Sequence, residues 1–113
     1  MAMLSRREVA SYTVDLFRST ASDFGRTIRL ALTGPEPNTI HLRFGGTVPA
    51  AIIVSTSEYA WTVHFALDQY ADMLHLLQTE DPIYFTAYEF PGPVQFAGLS
   101  TDEEFTGEGY GEE

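Results

Sequence analysis

Residues 61–90 read WTVHFALDQYADMLHLLQTEDPIYFTAYEF, a run in which a strand pattern, a helix pattern and a second strand pattern follow one another without a linker. Within it, Leu67, Tyr70, Ala71, Leu74, Leu77 and Gln78 recur at the i, i+3, i+4, i+7 spacing of one helical face, widened by Met73 and Leu76. The spacing predicts a helix over 69–79. Asp68 is placed to cap its first turn, where a carboxylate can accept a backbone N–H and meets the positive end of the helix. Pro82 has no N–H and drives the residue before it out of helical angles, so the chain must be extended again by 82.

Before the helix, Tyr59, Trp61, Val63 and Phe65 alternate with Ala60, Thr62, His64 and Ala66; after it, Ile83, Phe85 and Ala87 alternate with Tyr84, Thr86, Tyr88 and Phe90. Both are strands by their period of two. Pro91, Gly92 and Pro93 make a turn, and 94–99 returns as a partner strand.

Upstream, Ile28, Leu30 and Leu32 share one face of a strand over 26–33, and Ile40, Leu42 and Phe44 one face of a strand over 39–44. GPEPN between them is turn chemistry, so the two form a hairpin. Residues 50–56, AAIIVST, are a short continuous apolar run of the kind a strand covered on both faces shows. Residues 5–20 admit two readings. Ser5 and Glu8 fit a capping box, but Ala10, Tyr12, Val14 and Leu16 alternate strictly and the segment is rich in Val, Thr and Tyr, which favours a strand.

The expected fold is therefore α+β: a mostly antiparallel, curved sheet of six to seven strands packed with one main helix. The chain of 113 residues is the size of one domain, expected over 1–99. The remainder, 100–113, holds six acids and three glycines with no aliphatic residue, and reads as a disordered acidic tail.

Charge is distributed unevenly. All six basic residues are arginines at or before position 43, where they meet four acids and leave +2; the twelve acids beyond it meet no base and leave −12. A net charge of −10 argues against nucleic acid and anionic membrane as partners, and makes a basic protein a natural one. The absence of cysteine excludes disulfides, thiolate catalysis and cysteine-based zinc sites. With no signal-like apolar run at the N-terminus and no stretch long enough to span a bilayer, the expected compartment is the cytoplasm.

Three groups of residues are candidates for function. Arg29, His41 and Arg43 lie on the polar face of the 26–44 hairpin. A register summing to 72 would set Arg29 opposite Arg43, an arrangement that calls for Asp15, an acidic tail or a bound anion between them. Tyr59, Trp61, Tyr84 and Tyr88 supply more large apolar surface than one helix can cover, which points to an interface or a pocket. His64, on the small-residue face of its strand, is the one candidate general base, with Asp68 or Glu58 as its orienting carboxylate. No histidine pair has ligand spacing, no EF-hand loop is present, and no phosphate-binding or nucleophile motif occurs, so neither metal nor cofactor is expected.

The functional expectation is a non-enzymatic interaction protein, a homo-oligomer that buries part of an aromatic sheet face. The alternative is a small-ligand protein or minor enzyme with a sheet–helix pocket lined by Trp61, Phe65, Tyr84 and Tyr88, using His64 as base and Arg29 or Arg43 as anion anchor.

Overall fold

A computed structural model describes residues 3–17, 24–45, 51–89 and 95–101. Seven strands appear among them: β1 (Met3–Leu16), β2 (Phe24–Leu32), β3 (Thr39–Gly45), β4 (Ile53–Thr56), β5 (Ala60–Phe65), β6 (Ile83–Glu89) and β7 (Gln95–Thr101). Between β5 and β6 come a 3-10 turn (Leu67–Gln69) and one helix, α1 (Tyr70–Thr79). The sheet order is β4-β5-β3-β2-β1-β6-β7.

The alternation of apolar residues decides which face is inside. Ile28, Leu30 and Leu32 from β2, Ile40, Leu42 and Phe44 from β3, Trp61, Val63 and Phe65 from β5, and Ile83, Phe85 and Ala87 from β6 all point into one core. Each large side chain taken fully out of water contributes about 1.5 to 3 kcal/mol. The helix lies on this face: Leu77 is buried there, and Tyr70, Met73, Leu74 and Leu76 pack against the same cluster. Tyr70 meets the Phe44 ring edge-on at 5.2 Å between centroids.

The sheet is mixed. β3 and β5 run parallel, while the other pairings are antiparallel. The parallel pair arises because the β4–β5 hairpin inserts β5 between β3 and β4. β1 is long enough to serve two neighbours: residues 3–8 pair with β6 and residues 9–16 with β2. The result is nearly a barrel. At one end the two edge strands meet through a side chain, since Gln95 Oε1 accepts the backbone N–H groups of Ile52 (2.7 Å) and Ile53 (3.2 Å), and its amide donates to Glu89 Oε2 at 3.2 Å.

Several expectations change. The helix ends where expected, but Asp68 is not its cap: it sits within the 3-10 turn, where Gln69 reaches back to accept the Ala66 N–H at 3.0 Å. Residues 50–56 do not form a strand covered on both sides. β4 is a four-residue edge strand in which Ile53 is buried and Val54 is 48% exposed, because β5 rather than β4 takes the central position. β7 continues to Thr101, past the expected boundary at 99. The acidic tail beyond it, the turn at 91–93 and most of the loop expected after β3 lie outside the described residues.

The β2–β3 register sums to 70, with Ile28 opposite Leu42, so Arg29 faces His41 and Arg43 faces Thr27. The turn accounts for the shift. Gly34 takes φ +93°, Leu32 N–H donates to the Asn38 carbonyl, and Arg7 of β1 donates from Nε to the Thr33 carbonyl (2.8 Å) and from Nη2 to that of Pro35.

Candidate functional site

On the outer face of β2 and β3, Arg29, His41 and Arg43 do come together. His41 is directly opposite Arg29 on one side and Thr62 on the other; Arg43 is two residues along β3. The His41 pKa is lowered, first by burial and then by the Arg29 and Arg43 charges. Asp15 does not stand between the arginines. It lies on β1 opposite Thr27, which separates it from Arg43.

His64 is 3% exposed. Its Nε2 donates to the Gly45 carbonyl oxygen at 2.8 Å, and its backbone N–H donates to the Ile52 carbonyl at 2.9 Å. Through that ring bond His64 ties β5 to the end of β3 and fixes which ring nitrogen carries the proton. Glu58 and Asp68 are both exposed, one in the β4–β5 turn and the other in the 3-10 turn.

The four aromatic residues separate. Trp61 is core, 4% exposed. Tyr59 is exposed at the β4–β5 turn, which the Ser57 hydroxyl shapes by accepting the N–H groups of Tyr59 (3.2 Å) and Ala60 (3.1 Å). Tyr84 and Tyr88 lie on the outer face of β6. The pocket expected from Trp61, Phe65, Tyr84 and Tyr88 is not formed, because the first two point inward and the last two outward, with the sheet between them.

What Tyr84 and Tyr88 do join is an aromatic face shared with β7. The β6–β7 register sets Tyr88 opposite Phe96, Thr86 opposite Gly98 and Tyr84 opposite Ser100. Tyr88 and Phe96 stack at 5.3 Å with their planes 18° apart, and Phe96 remains 47% exposed. At the other end, the Arg6 guanidinium lies 3.9 Å over the Tyr84 ring and donates to the Thr101 carbonyl at 3.3 Å, a cation–π arrangement that holds the ring flat. Since Gly98 has no side chain, a cleft of about 290 Å3 opens between the stacked pair and Thr86, Leu99 and Ser100.

Phe96, Gly98 and Arg6 were not singled out from the sequence. A signal for the first two was present: a hairpin folded symmetrically about Gly92 pairs residues whose numbers sum to 184, which brings Phe96 to Tyr88 and Gly98 to Thr86. Arg6 carried no such signal, since its place depends on β1 pairing with β6 from the far end of the chain.

No helix among the described residues is long and apolar enough to cross a membrane, and no group of three or more metal-ligating side chains occurs among them. No protein-family model, curated protein or solved structure matches this chain.

Proposed function

We propose that this chain is a non-enzymatic cytoplasmic interaction protein that receives a short extended segment of a basic protein partner on the outer face of β6 and β7. The observation that carries this reading is the cleft over Gly98, walled by the half-buried Tyr88 and the exposed Phe96 stacked on it. An open, shallow cleft of about 290 Å3 is at the small end for a site that engulfs a ligand, and its aromatic walls and backbone floor suit one apolar side chain of a peptide. The basic character of the partner follows from charge, because β6 and β7 belong to the part of the chain that carries twelve acids and no base.

A displayed peptide library panned on the purified protein tests this. The enriched peptides should combine an apolar residue with Lys or Arg and lose affinity as salt rises. They should fail to bind Gly98→Leu, whose Cβ meets only Phe96 Cζ at 3.8 Å and whose side chain fills the cleft without straining the backbone. Absence of enrichment, or peptides that bind Gly98→Leu as well as the parent, would refute it.

A further inference from the structure

β1 has a flank that no described strand uses. Residues 3–8 pair with β6 and residues 9–16 with β2, so the side of residues 10–16 turned away from β2 is left open among the described residues. The hydrogen-bond alternation shows which groups face outward there. Phe17 N–H donates to the Gly25 carbonyl at 3.0 Å, so Asp15 and Thr13 bond to β2, while Tyr12, Val14 and Leu16 turn their N–H and C=O groups to the open flank.

This flank is more than an exposed edge. Leu16, at its end, is 68% exposed. At its other end, residues 9–12 form one wall of a cavity of about 440 Å3 whose opposite wall is Leu77, Ile83 and the loop between them. On the outer face, Arg29 has no hydrogen bond or ion pair among the described residues, and Asp15 is likewise without one.

We infer that a second copy of this chain docks on this flank, β1 against β1, antiparallel about a twofold axis at Val14. The strand is complementary to itself in that register. Val14 meets its own copy, and Tyr12 meets Leu16 of the partner subunit, so the outward backbone groups of all three positions bond across the seam. Leu16 of the partner subunit then stands at the mouth of the cavity beside Tyr12, which removes a 68% exposed apolar side chain from water. On the outer face, Asp15 of the partner subunit falls opposite Thr13, itself opposite Arg29, so that carboxylate and guanidinium flank one small residue.

The start of β6 ends the open flank at residue 9, since Tyr84 pairs with Glu8 and Ile83 comes one residue before it, and along that flank the register is the one that sets Leu16 opposite Tyr12 and Asp15 opposite Thr13. The seam also joins the halves of net charge +2 rather than those of −12. An arbitrary peptide strand would satisfy the backbone groups but would not present a carboxylate opposite Thr13 and a leucine opposite Tyr12 together. That combination is why the occupant is this chain itself.

Sedimentation velocity from low micromolar to a few hundred micromolar tests the assignment independently of peptide binding at Gly98. The parent should sediment as a dimer. Leu16→Glu, a change at a position exposed in the single chain, should weaken it at least about 30-fold while leaving the thermal melt of the monomer in place. Asp15→Arg should weaken it too, and adding Arg29→Glu should restore it. Because the chain has no cysteine, Val14→Cys gives one thiol per chain with Cα atoms about 5.5 Å apart across the axis, within reach of a short bis-thiol reagent. A parent that stays monomeric throughout would overturn the inference. So would a dimer that Leu16→Glu leaves intact, and one that Gly98→Leu dissolves would place the second copy on the aromatic face instead.

Discussion

Replacing Gly34 with alanine probes how the register of the β2–β3 hairpin is held. Gly34 adopts φ +93°, where a side chain costs about 1 to 2 kcal/mol. An added Cβ would also lie 3.2 Å from Arg7 Nη2 and 3.3 Å from Nε, close enough that the guanidinium must shift. That guanidinium donates to the carbonyls of Thr33 and Pro35, and losing the better part of one such bond adds about 1 kcal/mol. The total for Gly34→Ala is therefore about 2 to 3 kcal/mol, and for a domain of this size each kcal/mol lowers Tm by roughly 4 to 6 °C. Thermal and urea melts of Gly34→Ala, Arg7→Ala and the double variant separate the contributions. In the Arg7→Ala background only the backbone cost should remain, so the two changes should couple by about 1 kcal/mol. A Gly34→Ala variant within about 0.5 kcal/mol of the parent would show that the turn does not require the left-handed conformation, and the account of the register would fall with it.

Other expectations follow from the same geometry. His41 has a lowered pKa in the folded chain, so it is neutral there at a pH where the unfolded chain begins to protonate it. Stability should be full above about pH 6.5 and fall as the pH drops from there through the lowered folded value, by at most about 1.4 kcal/mol per pH unit. The difference between parent and His41→Gln in denaturant melts isolates this slope; equal slopes would contradict it. Phe44→Ala should cost about 3 to 5 kcal/mol, since Phe44 is fully buried against Phe65 and Tyr70, whereas Tyr59→Ala at an exposed turn should stay within about 0.5 kcal/mol. Gln95→Leu removes the acceptor shared by Ile52 and Ile53 and should destabilise by about 0.5 to 1.5 kcal/mol, seen as faster amide hydrogen exchange confined to Ile52, β4 and β7.

Local periodicity made most of the elements legible in advance. The alternation Ile28, Leu30, Leu32 and Ile40, Leu42, Phe44 needs no partner to be read, and the 3.6-residue stripe from Leu67 to Leu77 likewise identifies its helix. What escaped the sequence is what depends on neighbours distant in the chain. The apolar composition of 50–56 matched a central strand, but only the insertion of β5 between β3 and β4 determines which of the two is covered, and that is a property of the whole sheet. The register shift from 72 to 70 has the same origin: part of the turn is held by Arg7, some 26 residues away in sequence from the carbonyl it binds.

The candidate surfaces divide along the same line. Trp61 and Tyr84 read in the sequence as one aromatic surface, yet one is core and the other faces outward, because Trp61 shares its strand face with Val63 and Phe65 whereas Tyr84 alternates with the buried Ile83 and Phe85. The long strand β1 changes neighbours midway, from β6 to β2, and so cannot be saturated on both flanks along its length. Its arrangement closes most of the barrel and at the same time leaves residues 10–16 open on one side. The open flank of β1 follows from that change of neighbours, whereas the aromatic cleft on β6 and β7 follows from the absence of a side chain at Gly98. On the two proposals above, a second copy docks through β1 while β6 and β7 receive another partner, so Leu16→Glu and Gly98→Leu are expected to act on different assays and not on each other's.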